Sequence, residues 1–270
     1  MRETTPVIFP DALGTASFAG RITELMHRDM RTKFSGGALG YAWAFLTPAA
    51  WIVFVVAAFN FLDRTPPLPV SPQLFVATGI LPYILFRQTI TASMRALSAS
   101  RFLVYFPDIS VAHILLSASL LELLNAFFIS ILLFGTILIF FTGEIPVDPL
   151  NVAFGLFLAW FLGAGFGRFA AILGRMSDTF ARLVPTLLRP MFWISGVFFT
   201  ATELPESSLS VLYYSPLFHA IEILREGFFL GYHSPISSPI VPLIAGFFFF
   251  ASSLALERFW KSRDPRKGIL

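Results

Sequence analysis

Residues 43–62 read WAFLTPAAWIVFVVAAFNFL, twenty residues without a charge. As a helix rising about 1.5 Å per residue, this run crosses the hydrocarbon core of a bilayer, which is about 30 Å thick. The composition agrees with lipid as the solvent. The 270 residues are 56% hydrophobic and 13% charged, with 33 Phe, where an ordinary soluble domain carries about 25% charged residues. A soluble sphere of this size could not hide so much apolar surface. The same figures exclude a disordered chain.

Outward from this first span the pattern repeats. Residues 63–72 (DRTPPLPVSP) form a proline-rich break. A second span starts at Gln73 and contains Pro82, and a polar loop with a short amphipathic piece follows at 98–108. The stretch 109–141 is apolar except at His113, Glu122 and Asn125. It would run about 50 Å as a helix, so it reads as a span whose first turns stand proud of the membrane, or as a tilted one. A turn at 142–149, a fourth span at 150–173, a charged loop at 174–182, a fifth span at 183–200 and a sixth at 238–256 complete the series. Residues 201–237 are broken by Pro205 and Pro216. They predict two short helices in a re-entrant hairpin, which must lie against protein or water because lipid cannot satisfy exposed backbone. The expected fold is an all-α membrane protein with six transmembrane helices in one domain over 1–270. A cytoplasmic amphipathic segment covers 1–38, the membrane domain covers 39–257 with a periplasmic gate hairpin at 201–237, and a basic cytoplasmic tail covers 258–270.

Six spans put both termini on one side. That assignment places 17 of the 19 Lys and Arg in the N-terminal segment, the second and fourth loop regions and the tail, and leaves only Arg64 and Arg225 opposite. Positive charge concentrates on the cytoplasmic side of membrane proteins, so both termini are expected there and the hairpin outside. Residues 1–38 contain no apolar stretch of the kind a cleavable signal peptide needs.

Several chemistries are excluded. There is no Cys, and the four His are far apart in sequence, so no metal site is expected. No lysine follows a glycine in the frame of a phosphate-binding GxxxxGK[ST] loop. The chain is therefore not expected to be an enzyme alone, and no cofactor or nucleic-acid partner is expected of it. Glu122 is the only carboxylate deep in a predicted span. It serves proton coupling, an interhelical hydrogen bond or a polar cavity.

Residues 18–35 read FAGRITELMHRDMRTKFS, with Phe18, Ile22, Leu25, Met26 and Met30 at helical spacing and Arg21, Arg28, Arg31 and Lys33 beside them. This predicts a basic amphipathic helix at the membrane surface. It is either a plain anchor or a cationic collar for an anionic headgroup or glycan. Tyr41, Trp43 and Trp51 follow, as channel-facing rings or as an interfacial belt.

Two stretches carry a resemblance. Arg28, Arg31-Thr32-Lys33-Phe34, Leu39-Gly40-Tyr41, Trp43-Ala44 and Pro48 form a pattern similar to the start of ABC-2 type permeases. YYSPLFHAIEILREGFF at 213–229 resembles that family's element before the last span, with Ser215 where Asn is usual and with Pro216, His219, Glu222, Arg225 and Glu226 in place. The likeness is greatest to the permeases that export capsular polysaccharide. It implies a homodimeric channel in the bacterial inner membrane that carries a lipid-linked anionic polysaccharide outward. The work would come from two separate P-loop ATPase subunits, which bind the ATP and Mg, and a periplasmic co-polymerase or adaptor would receive the product.

Arg28, Arg31, Lys33, Tyr41, Trp43 and Trp51 are the expected substrate entrance. By the resemblance, Arg101, Tyr105, Phe106 and Asp108, with Arg175 and Asp178, couple to the ATPase. Tyr213, Tyr214, His219, Glu222, Arg225 and Glu226 belong to the periplasmic gate. The residues themselves read compatibly. A chain without an ATP site must receive work mechanically, and loop 98–108 offers aromatic anchors beside charge. Glu222, Arg225 and Glu226 share one helical face and predict a solvated ion cluster, for pairing or for substrate contact. Tyr213, Tyr214 and Tyr232 are candidates to line the exit. An ABC-2 permease for O-antigen, teichoic acid or a small lipid or drug is the alternative. A membrane-embedded transferase would need convergent acids or a metal, and Glu122 and Asp178 lie on different elements.

Overall fold

The computed structural model describes residues 17–33, 38–100 and 109–263. Among these the chain forms helices and no strand. The α-helices are α1 (Phe18–Lys33), α2 (Ala38–Phe61), α3 (Pro72–Ala99), α4 (Val111–Ile137), α5 (Pro149–Met176), α6 (Asp178–Ile194), α7 (Glu206–Leu212), α8 (Pro216–Phe228) and α9 (Ile240–Arg263). A π-helical turn at Leu138–Thr142 extends α4, and a 3-10 turn at Ala201–Glu203 precedes α7.

The boundaries follow local chemistry. Pro72, Pro149 and Pro216 open their helices, where a missing N–H costs nothing. The Ser71 hydroxyl accepts from the Leu74 N–H at 3.3 Å. The Asp148 carboxylate accepts from the N–H groups of Leu150 and Asn151 at 3.0 and 3.2 Å. At α4, the Ser110 hydroxyl accepts from the His113 N–H while His113 Nδ1 accepts from the Ser110 N–H.

Helices α2, α3, α5, α9 and α4 with its π turn are each long and apolar enough to cross a membrane. Three loop expectations change. Helix α3 continues into the expected loop 98–108 as far as Ala99. The charged loop expected at 174–182 shrinks to Ser177, whose backbone is extended (φ −153°) between α5 and α6. Arg175 in the last turn of α5 and Asp178 in the first turn of α6 each complement a helix dipole, so charge here supports helix ends and not a loop. The fifth span expected at 183–200 is instead α6, 17 residues that start at Asp178 and stop at Ile194. Its length of about 26 Å falls short of the others. It carries Pro185 and Pro190, and the chain leaves it through Gly196 at φ 83°.

Helices α3 and α5 form the centre. Helix α3 packs on α5, α4, α2 and α8, and α5 packs on α9, α8 and α6. From Leu74 to Phe86 every residue of α3 is buried. Close approach to α5 depends on absent side chains. A Cβ on Gly165 would stand 2.4 Å from the Gly246 carbonyl oxygen of α9, and one on Gly155 would stand 2.6 Å from Leu224 Cβ of α8. Small residues let helix backbones meet where lipid supplies no hydrophobic drive. Phe54 of α2, Ile131 of α4 and Phe247 and Phe248 of α9 are exposed on the rim. Helix α1 lies against α4, with Ile22 and Leu25 buried and the Phe18 ring 4.4 Å from the His113 ring.

Candidate functional site

The polar groups gather at two places, one beside α1 and one around α8. At the first, the basic helix α1 brings Lys33 to α4. Its ammonium bonds both oxygens of Glu122 at 2.7 Å, and the carboxylate is buried. The pair forms part of the wall of a cavity of about 430 Å³, which also meets Arg28, Thr32, Arg95 and Ser100. Arg28 pairs with its neighbour Asp29 at 2.7 Å, and Arg31 is exposed. The structure thus gives Glu122 a cationic partner 89 positions away in sequence. Arg95 joins these cations from α3, and nothing in its local sequence marks it for that place. Asp29 and Glu122 line the same cavity and pair with Arg28 and Lys33, which leaves Arg95 as the cation suited to an oxyanion.

Around α8 the expectation of a solvated ion cluster is corrected. The side chains of Glu222 and Arg225 are 0% exposed and bond at 3.2 Å. Arg225 also donates to the carbonyls of Phe199 at 2.8 Å and Val197 at 3.2 Å. Its guanidinium lies 4.3 Å from the Phe75 ring centroid. Glu222 accepts from the Ala201 N–H at 3.3 Å and from the Tyr232 hydroxyl. Gly79 makes the room: a Cβ there would stand 2.8 Å from Val197 Cα and 3.2 Å from Arg225 Nη2. Buried charges need this satisfaction, because an unpaired one would cost several kcal/mol. Burial and the Glu222 carboxylate push the Tyr232 phenol far above its ordinary range.

The other polar residues of the element work the same way. Glu226 accepts from the Ser234 N–H at 2.8 Å and the Ser237 hydroxyl at 2.7 Å. His219 Nδ1 accepts from the Ser238 N–H at 3.2 Å, so Nε2 carries the proton and donates to the Tyr213 carbonyl at 2.7 Å. Every charged or histidine side chain of this element ties α8 to the chain before or after it. Tyr232, a candidate exit-lining ring, is instead buried inside the network. Tyr213 and Tyr214 remain exposed, with ring centroids 5.7 Å apart.

The remaining candidates are dispersed. Trp43 is exposed on α2. Trp51, about two turns further along α2, meets the Phe192 ring at 5.3 Å. Tyr41 belongs to α2, and its side chain lies outside the described residues. Arg101, Tyr105, Phe106 and Asp108 also lie outside them. Arg175 is half-buried and Asp178 exposed at the α5–α6 junction. Arg87 lies in α3, Arg168 in α5 and Arg189 in α6. Arg168 is fully engaged, bonding Glu257 at 2.6 Å and Ser253 Oγ at 3.0 Å from α9. Among the described residues no group of three or more His, Cys, Asp or Glu could hold a metal ion.

The sequence profile of the family described as ABC-2 type transporter matches residues 21–229. Three curated proteins illustrate the likeness. The polysialic acid transport protein KpsM of Escherichia coli is 27% identical over 218 residues, covering 79% of this chain and 83% of that protein. The capsule polysaccharide export inner-membrane protein BexB of Haemophilus influenzae is 26% identical over 212 residues, covering 77% and 78%. The capsule polysaccharide export inner-membrane protein CtrC of Neisseria meningitidis serogroup A is 23% identical over 250 residues, covering 91% and 93%.

Proposed function

The chain belongs to the ABC-2 type transporter family, and from that premise we propose that it is the permease subunit of an exporter for capsular polysaccharide. The observation that carries this reading is the likeness, over most of both chains, to three proteins named for transport of capsule or polysialic acid. The five long apolar helices support a membrane-embedded subunit. In the finer reading, α6 supplies a shorter sixth crossing and both termini face the cytoplasm of a bacterium. The 17 Lys and Arg of the N-terminal segment, the two cytoplasmic-side regions and the tail, set against Arg64 and Arg225, favour that orientation.

Two copies would form the channel, each docked on a P-loop ATPase that binds ATP and Mg. The anionic end of a lipid-linked polymer would meet the cavity of Arg28, Lys33 and Arg95, with Arg31 at its approach. Closure of the motor would press on loop 98–108 and on the α5–α6 junction at Arg175 and Asp178. The copies would part and admit the chain, which would leave past the 201–237 hairpin toward a periplasmic adaptor.

Extraction of the tagged chain in mild detergent tests this reading, together with surface staining for polysaccharide in cells lacking it. Stoichiometric recovery of a P-loop ATPase and loss of surface polymer are expected. Recovery of the chain alone after crosslinking in cells, with surface polymer intact, would overturn it.

A further inference from the structure

A cavity of about 260 Å³ lies among α2, α3 and α6, lined by Trp51, Tyr83, Arg87, Arg189, Phe192 and Trp193 among others. Pockets that take whole small-molecule ligands measure about 300–1,000 Å³. A space below that range fits one unit of a longer chain.

Its two arginines differ from Arg168 and Arg225. Arg168 has Glu257 and Ser253, and Arg225 has Glu222 and two carbonyls. Among the described residues neither Arg87 nor Arg189 is in an ion pair. Arg87 lies 12 residues before the end of α3, a helix fit to cross a membrane. An ionisable side chain carried by a membrane-crossing helix marks a functional-site candidate. Each helix also presents a ring and a guanidinium one turn apart, Tyr83 with Arg87 and Trp193 with Arg189. The rings are held. Tyr83 donates to the Leu188 carbonyl at 2.8 Å, and Phe192 contacts Tyr83, Trp51 and Trp193 at 5.0, 5.3 and 5.7 Å. Yet Trp193 keeps 65% of its surface open. Sugar rings present apolar C–H faces that stack on such walls while their substituents reach a cation.

We propose that Arg87 and Arg189 form a subsite for the oxyanion of one acidic sugar unit of the transported polymer, with the Trp51, Tyr83, Phe192 and Trp193 rings holding the sugar. The subsite rests on the polysaccharide-export reading and adds a preference for acidic over neutral chains.

The test uses the complex in phosphatidylcholine nanodiscs. Tryptophan emission is titrated with tetragalacturonate and with maltotetraose, and Trp51→Phe and Trp193→Phe assign the signal. The acidic oligomer should bind at least about tenfold more tightly, a difference of about 1.4 kcal/mol. That preference should vanish in the Arg87→Gln/Arg189→Gln variant and return in part with Lys at both positions. Equal affinity for the two oligomers, or a double variant that titrates like the parent, overturns the proposal. Should the double variant fail to assemble, Arg189→Gln alone carries the comparison, since its side chain is exposed. A second arm adds phosphatidylglycerol without sugar. A response there that needs both arginines, with none to tetragalacturonate, assigns them to a lipid phosphate and overturns the proposal. A complex that retains its ATPase but shows no acidic preference refutes the subsite alone. Absence of the ATPase refutes the export reading instead.

Discussion

Lys33 of α1 bonds both carboxylate oxygens of Glu122 in α4, at 2.7 Å each. The contact fastens the surface helix to the membrane bundle and neutralises a buried acid. Lys33→Met leaves that acid without its cation. Loss of a hydrogen bond to a charged group costs about 1.5–3 kcal/mol, and the 29% exposure of the Lys33 side chain keeps the effect toward the lower figure. Glu122→Gln in the Lys33→Met background should recover part of the loss. Thermal unfolding in detergent checks both.

The buried Glu222–Arg225 pair should respond more strongly. Removing one partner of a buried pair costs about 3–5 kcal/mol, so Arg225→Met and Glu222→Gln should each sharply lower the midpoint of thermal unfolding. The double variant should fall well short of their sum, because it leaves no lone charge. Strict additivity would contradict the pairing.

Tyr232 gives a pH signature. Its phenol is pushed up in the folded chain by burial first and then by Glu222. The stability that this proton contributes is complete below the ordinary phenol range near 10. It is lost as pH rises past that range, where the unfolded chain releases the proton and the folded chain keeps it. Alkaline unfolding of the parent should therefore steepen by up to about 1.4 kcal/mol per pH unit relative to Tyr232→Phe. Parallel curves would show that the hydroxyl is not held as described.

Glycine substitutions separate packing from propensity. Gly165→Val places atoms where the α9 backbone already lies, since even a Cβ would come within 2.4 Å of the Gly246 oxygen. It should abolish folded yield in size-exclusion chromatography. Gly135→Ala meets nothing within 4 Å. It should be neutral or stabilise α4 by up to about 1 kcal/mol.

The long spans are legible in the sequence because lipid demands long apolar helices, as residues 43–62 and 109–141 supply. The shortness of α6 is half legible. Pro185, Pro190 and Arg189 are plain to see, but where the helix stops depends on Gly196 turning the chain back beneath α8. The fate of Glu222 and Arg225 is not legible, since an i, i+3 ion pair looks the same on a wet surface and in a core. Only Phe75, Gly79 and the carbonyls of 197 and 199 decide it, and they come from other elements. Arg189 is legible inside the expected fifth span, but its place in one cavity with Arg87 is not, because α3 and α6 lie far apart in the sequence.

The α8 network also sets an order in time. Arg225 takes its carbonyl acceptors from residues 197 and 199, made before it, whereas Glu222 needs the hydroxyl of Tyr232, made after it. Glu226 and His219 likewise await residues 234 to 238. During synthesis α8 therefore carries acceptors that are only partly satisfied. Its docking completes only when the chain beyond Ser238 has emerged, so this end of the protein is the last to assemble.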